Sequence, residues 1–125
     1  MNVARMFTLA KNVSKLSSHR FKMGAVLVKN GTPISVGYNQ VKSNPRAPIC
    51  GLHAEAQAIR SSGKDSVPGG IMFVYREMQP KSRNPQKIPA LAKPCPHCMK
   101  ELQEFGIKKV YYTTNEYPYF DMMKI

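Results

Sequence analysis

Helical and strand patterns alternate along most of this chain, and their order restricts the folds open to it. Apolar residues spaced by three and four predict an amphipathic helix over residues 2–17. Two apolar strands, 24–29 and 33–38, flank Asn30 and Gly31, a pair that tolerates the positive φ of a tight hairpin turn. The same reasoning predicts a helix over about 53–61, a strand over 71–75, a helix over about 96–105 and a strand over 109–113.

This order predicts an α/β domain of three layers, α/β/α, in which helices cover both faces of a mixed sheet. The hairpin makes the N-terminal strand pair antiparallel, and the right-handed crossover rule makes the later strands parallel. A chain of 125 residues has room for one core, so we expect residues 1–125 to form a single domain. The stretch 115–125 is too short and irregular to predict, and it lacks the length for another helix and a full fifth strand.

Composition indicates the cellular compartment in which the protein resides. No apolar run approaches the roughly 18 residues of a membrane helix, and the N-terminus has no apolar signal-peptide core. The cysteines Cys50, Cys95 and Cys98 are odd in number, which argues against a disulfide framework. We therefore expect a cytoplasmic protein in a reducing compartment, with no membrane partner.

The charge balance bears on partners. The chain has 19 Lys and Arg against 7 Asp and Glu, a formal net charge of +12 that is spread along its length. Such a surplus favours a polyanionic partner, either the phosphate of a small nucleotide or a nucleic-acid backbone. A basic surface with no specific partner is the alternative interpretation.

Two short motifs carry the metal chemistry of the chain. Residues 53–55 read His-Ala-Glu and residues 94–98 read Pro-Cys-Pro-His-Cys, and each stands where a predicted helix begins. The imidazole of His53 and the thiolates of Cys95 and Cys98 make three ligands for zinc, which prefers four. The fourth position then stays open to water, whose pKa falls from about 15.7 to near 7 on zinc. The motifs therefore predict one catalytic Zn²⁺ ion.

Glu55 has a different expected role from the ligands. It lies two residues after His53, so on a helix its carboxylate faces another direction than the imidazole. We predict that Glu55 accepts a proton from the activated water and returns it to a ring nitrogen or a leaving amine. An H-x-E motif followed by P-C-x-x-C is the signature of zinc deaminases that act on nucleobases.

On these motifs the chain resembles the cytidine and deoxycytidylate deaminase superfamily from about residue 21 to residue 114, and is most similar to deoxycytidylate deaminase-like members. The resemblance implies a cytidine-deaminase-like fold with zinc on the one histidine and two cysteines and with Glu55 as the proton shuttle. It also implies that Asn39 contacts the sugar of the substrate and that the backbone N–H of Ala54 meets the base carbonyl. Members of the superfamily often assemble, so a homo-oligomer is compatible with the resemblance.

Several features stay open at this point. Cys50 has His19 as the one companion for a second zinc site, so a spare or buried cysteine is the preferred interpretation. His97 lies between the two cysteines, and helix geometry predicts that it points away from the metal. The loop 76–93 is longer than small superfamily members lead us to expect, and its basic residues suit either phosphate binding or plain solvation.

Three functions compete on this basis. The first is deamination of a small cytosine nucleotide, of the dCMP or CMP type, to the uracil nucleotide and ammonia. The second is deamination of adenosine or cytidine in tRNA or single-stranded nucleic acid, since the same metal chemistry serves both bases. The third is a zinc-stabilised nucleic-acid-binding module without turnover. The presence of Glu55 argues against it, because a purely structural zinc site needs no proton shuttle.

Overall fold

The helices and strands of this chain follow the predicted order. The computed structural model describes residues 2–17, 22–39, 53–77, 91–94 and 96–125, apart from the side chains of Lys64 and His97. Each predicted element is present with bounds that differ by at most a few residues. The elements are α1 (Val3–Ser14), β1 (Met23–Lys29), β2 (Thr32–Tyr38), α2 (Ala54–Ser62), the 3₁₀ turn η1 (Lys64–Ser66), β3 (Ile71–Arg76), α3 (Pro96–Glu104), β4 (Lys109–Thr113) and β5 (Phe120–Lys124).

The strands of the described residues form one mixed sheet in the order β2-β1-β3-β4-β5. Strand β1 pairs antiparallel with β2 on one side and with β3 on the other. Strands β3 and β4 are parallel, as the crossover rule predicts. Asn30 and Gly31 have φ values of 53° and 77°, which confirms the hairpin turn between β1 and β2. The predicted mixed sheet is therefore confirmed.

The C-terminal stretch differs from expectation. The chain turns after β4 and returns as β5, which pairs antiparallel with β4 from Thr113↔Phe120 to Lys109↔Lys124. The expectation that this tail is too short for a full fifth strand is therefore wrong. A hairpin return needs only a turn, whereas a further parallel strand would need a crossover of a dozen or more residues.

Helices cover both faces of the sheet. On one face, α1 packs against alternate residues of β1 and the ring of Phe73, in a core of Met6, Ala10, Val26, Val28 and Phe73. On the other face, α2 and α3 pack over the intervening residues, in a core that includes Leu27, Ile59, Met72, Val74, Leu102 and Val110. The predicted three-layer arrangement is therefore confirmed. No helix among the described residues is long and apolar enough to cross a membrane.

Candidate active site

His53 and Cys98 meet at the start of two helices. His53 is the N-cap residue of α2 with extended backbone angles, φ −89° and ψ 152°, and Cys98 lies in the first turn of α3. The ring nitrogen Nδ1 of His53 lies 2.9 Å from Sγ of Cys98, although the two residues are 45 positions apart in sequence. The sheet thus brings together two of the three residues that the sequence predicts as metal ligands.

This donor pair fits a zinc ion. Imidazole nitrogen and thiolate sulfur are both preferred zinc ligands, and Cys98 is 2% exposed. Tetrahedral zinc would hold a nitrogen and a sulfur about 3.6 Å apart, given bond lengths of about 2.1 and 2.3 Å. The distance between the two atoms therefore needs to increase by only about 0.7 Å for the pair to hold the ion.

Cys95 lies outside the described residues, and within them no three His, Cys, Asp or Glu side chains cluster to hold a metal. The described segment just before it is fixed to the ends of β3 and β4. Ala92 N–H donates to the carbonyl of Thr113 at 2.9 Å, and Nη1 of Arg76 donates to the carbonyl of Leu91 at 3.3 Å. These bonds lead the chain into α3 at the carboxyl ends of the two parallel strands, where α/β folds place their sites.

Glu55 is a buried carboxylate in the first turn of α2. Its side chain is 2% exposed, and its Oε1 atom has no hydrogen-bond partner within the described part of the chain. Burial raises the pKa of Glu55 from 4.5 to about 7, a backbone hydrogen bond lowers it, and the negative charge of Glu101 raises it further. A carboxyl group with a pKa near neutrality can both accept and return a proton.

Of the two residues expected to contact substrate, one lies in α2 and the other follows the strand that packs against α2. Ala54 is the first residue of α2 and is fully buried. Asn39 directly follows β2, is 7% exposed, and accepts the N–H of Met23 through Oδ1 at 2.8 Å. The hydroxyl of Ser17 donates to the Asn39 carbonyl at 2.7 Å. Hydrogen bonds thus hold Asn39 at the end of β2, and the contacts of both residues with substrate stay predictions.

The sequence analysis did not identify two residues that lie near this site. Glu101 follows Cys98 by three positions on α3, a spacing that places both on one helix face and that could have identified it. Gln57 follows His53 by four positions, and its Oε1 accepts the N–H of Tyr38 at 2.6 Å. That contact depends on how α2 lies on β2, so no local pattern signals it.

The other residues whose roles the sequence left open lie outside the part of the chain that the structure describes. His19, Cys50 and residues 78–90 of the basic loop are not among the described residues, and the same holds for the side chain of His97. The interpretations given for them from the sequence stay predictions.

Known families and structures resemble this arrangement. The model of the cytidine and deoxycytidylate deaminase zinc-binding region matches residues 2–114. No curated protein matches the sequence significantly. The apo dCMP deaminase of cyanophage S-TIM5 is 28% identical with a TM-score of 0.64, and the match covers 90% of this chain and 82% of that one. The same enzyme in complex with dCMP and dUMP is 27% identical with a TM-score of 0.63, covering 89% and 79%.

A more distant structure extends the likeness over nearly the whole chain. Cytidine deaminase from Burkholderia pseudomallei has a TM-score of 0.71, and the match covers 99% of this chain and 93% of that one. Its sequence identity is 22%, so the likeness concerns the fold. The five-strand order described above, with helices on both faces, is thus a cytidine-deaminase-like fold.

Proposed function

Because this chain belongs to the cytidine and deoxycytidylate deaminase family, whose zinc-binding region spans residues 2–114 of it, we propose that it converts a cytosine nucleotide to the uracil nucleotide and ammonia. That it is a deaminase of nucleotides or nucleosides follows from the family and from the related structures. The observation that carries hydrolytic deamination at this site is the contact between His53 and Cys98, with the buried carboxylate of Glu55 on the same helix. The choice of a cytosine nucleotide rests on the likeness to the dCMP deaminase of cyanophage S-TIM5.

His53, Cys95 and Cys98 are the residues proposed to hold the zinc ion. The side chains of His53 and Cys98 approach from different helices, and the partial positive charge at the start of α3 favours the thiolate form of Cys98. When bound, zinc supplies a Lewis acid that makes water nucleophilic at neutral pH. Three protein ligands leave room for that water, as a catalytic site requires.

Glu55 is proposed to carry the proton. Water adds to the base carbon that bears the amine, and the carbon–nitrogen bond of that amine then breaks to release ammonia. Glu55 accepts a proton from the water at a carboxylate oxygen and delivers it to the ring nitrogen or the leaving amine. A pKa raised to about 7 by burial suits both steps. Since Oε1 has no hydrogen-bond partner among the described residues, it can accept the proton.

Ala54 and Asn39 are proposed to bind the nucleotide. N–H groups in the first turn of a helix lack an intrahelical acceptor, so that of Ala54 can donate to the carbonyl of the base. Asn39 would contact the sugar. A net charge of +12 attracts the phosphate, and the identity of 27–28% to two structures of one dCMP deaminase supports the deoxycytidylate type.

A substrate screen tests the proposal. Zinc-loaded protein is offered cytosine and adenine mononucleotides, the free nucleosides, and single-stranded oligonucleotides, and ammonia release is measured. We expect dCMP or CMP to be the best substrate. Turnover of an oligonucleotide without turnover of any mononucleotide would instead favour the nucleic-acid deaminase.

The variant Glu55→Gln tests the role of the carboxylate in the same assay. It should keep stoichiometric zinc and the wild-type circular dichroism spectrum, because Gln has nearly the same shape as Glu. Its kcat should fall by at least about 10²-fold, since proton transfer by a positioned side chain contributes that much or more. Ammonia release close to the wild-type rate would refute the assigned role.

A further inference from the structure

Helix α2 and strand β2 are joined by side-chain hydrogen bonds as well as by apolar packing. Gly37 of β2 has no side chain, and the backbone of α2 at Ala54 and Ala58 occupies the space that a Cβ would take. The hydroxyl of Ser35 donates to the carbonyl of Ala58 at 2.6 Å. At the end of the strand, the N–H of Tyr38 donates to Oε1 of Gln57 at 2.6 Å. Two hydrogen bonds, each of 2.6 Å, therefore join α2 and β2 at different positions along the strand.

The bond from Tyr38 to Gln57 lies where the strand reaches Asn39. Successive N–H groups of a strand point to opposite edges. Strand β2 is at the edge of the sheet that the described residues form, so the Tyr38 N–H faces away from β1 and donates to Gln57. The next N–H, that of Asn39, points inward and donates to the carbonyl of Met23 at 3.3 Å. The end of β2 is thus held on one side by the sheet and on the other by α2.

Gln57 also belongs to the helix that carries the proposed chemistry. It lies two residues after Glu55, and its own N–H closes the first helical bond to the carbonyl of His53 at 3.2 Å. A displacement of α2 relative to Tyr38 would therefore change the distance between Glu55 and Asn39.

We propose that Gln57 is a positioning residue that fixes Asn39, the predicted sugar contact, relative to Glu55 and His53. This inference rests on the proposed function, because it gives Gln57 its effect through nucleotide binding. Loss of the bond lets the end of β2 move while the metal ligands stay in place. The consequence is weaker substrate binding with little change in the chemical step.

The test compares three variants of the zinc-loaded protein. Gln57→Met removes the acceptor and keeps the length of the side chain, whereas Gln57→Glu keeps an acceptor oxygen for Tyr38. Ser35→Ala is the matched control, since it removes the other bond between the same two elements. The measurements are kcat and KM for the best mononucleotide, zinc content, Tm, and amide hydrogen exchange at Tyr38 and Asn39.

Gln57→Met should raise KM about three- to tenfold, the range that one hydrogen bond supplies, with kcat within about twofold and zinc unchanged. Gln57→Glu should restore KM to near the wild-type value. Ser35→Ala should lower Tm by a similar amount and leave KM unchanged. The inference would be overturned if Gln57→Met had a KM no higher than that of Ser35→Ala, or if it lost kcat or zinc instead of substrate affinity. It would also be overturned if Gln57→Glu did not restore KM.

Exchange rates separate this inference from the proposed function. Gln57→Met should speed exchange at Tyr38 and Asn39, and Ser35→Ala should not. If the wild type deaminates no mononucleotide, the proposed substrate is wrong, and the exchange rates then decide whether Gln57 fixes the end of β2. Unchanged exchange in Gln57→Met would overturn the inference even in an active enzyme.

Discussion

Glu55 is buried at the start of a helix, in a setting that suits a carrier of protons. Its carboxyl group is removed from water, which disfavours the charged form, and the negative charge of Glu101 acts in the same direction. The backbone hydrogen bond lowers the pKa without cancelling the effect of burial. Burial of an acid whose pKa is raised in the fold reduces the stability of the fold at neutral pH, and this reduction can be measured.

We expect metal-free protein to lose stability as the pH rises, through Glu55. Its pKa is 4.5 when exposed and about 7 in the fold, so the unfolded chain ionises first and the folded state is disfavoured between these values. The free energy of unfolding of Glu55→Gln minus that of the wild type should grow by about 2 kcal/mol between pH 5 and pH 8. Urea unfolding at both pH values measures this difference. Parallel pH profiles for the two proteins would contradict a raised pKa.

The thiol of Cys98 should decide whether the protein holds zinc. Cys98→Ala removes one of the two described donor atoms, and the ligands that remain are too few to keep a catalytic ion. We expect less than a tenth of the wild-type zinc by elemental analysis after dialysis, an order-of-magnitude estimate from the loss of one ligand in three. Cys50→Ala is the control, because the sequence analysis prefers a spare cysteine there, and it should keep stoichiometric zinc. Full zinc in Cys98→Ala would remove Cys98 from the ligand set.

At the scale of elements, the approach of α2 to β2 sets the geometry of the site. A Cβ on Gly37 would collide with the carbonyl of Ala54 and would lie 2.5 Å from the N–H nitrogen of Ala58. Gly37→Ala must therefore push α2 away from the strand and carry His53 with it. We expect a loss of about 1–3 kcal/mol of stability, measured by urea unfolding, together with at least tenfold weaker zinc binding, about 1.4 kcal/mol.

The matched control for Gly37 is Gly70, which directly precedes the central strand β3 and lies at the opposite end of the strands from Gly37. Its Cβ would lie 2.8 Å from the Leu27 side chain and 2.9 Å from the Val67 carbonyl, so Gly70→Ala should also destabilise the fold. Zinc affinity and kcat should nevertheless stay at the wild-type level, because η1 and β3 move and α2 does not. Equal loss of zinc in both variants would mean that general destabilisation is responsible.

The same elements show what the sequence could predict. The hairpin at Asn30 and Gly31 and the helix starts near His53 and Pro96 have local causes, in turn chemistry and apolar spacing, and they were predicted from the residues alone. Strand β5 has no such local signal. Phe120 and Asp121 are exposed, and β5 exists because its backbone pairs with β4. The bond between Gln57 and Tyr38 likewise depends on the packing of two elements, which no spacing in the sequence encodes.

At the scale of the whole molecule, the charge of +12 attracts any anion and does not by itself select one. A mononucleotide presents one phosphate group, whereas a polynucleotide presents many and releases a counterion for each one that the protein neutralises. The salt dependence of the reaction therefore distinguishes the two classes of substrate, even where both are deaminated.

We expect the KM for dCMP to rise by less than about fivefold between 50 and 200 mM salt, because a single phosphate group is involved. An oligonucleotide held through about six phosphates would lose about two and a half orders of magnitude in affinity over the same range, at a slope near −0.7 per phosphate. Steady-state ammonia release at four salt concentrations measures both slopes, with cytidine as the uncharged control whose KM should stay constant. A KM for dCMP as insensitive to salt as that of cytidine would show that the basic surface plays no part in binding the phosphate. A steep slope with an oligonucleotide that is also the better substrate would assign this cytidine-deaminase-like fold to nucleic acid instead.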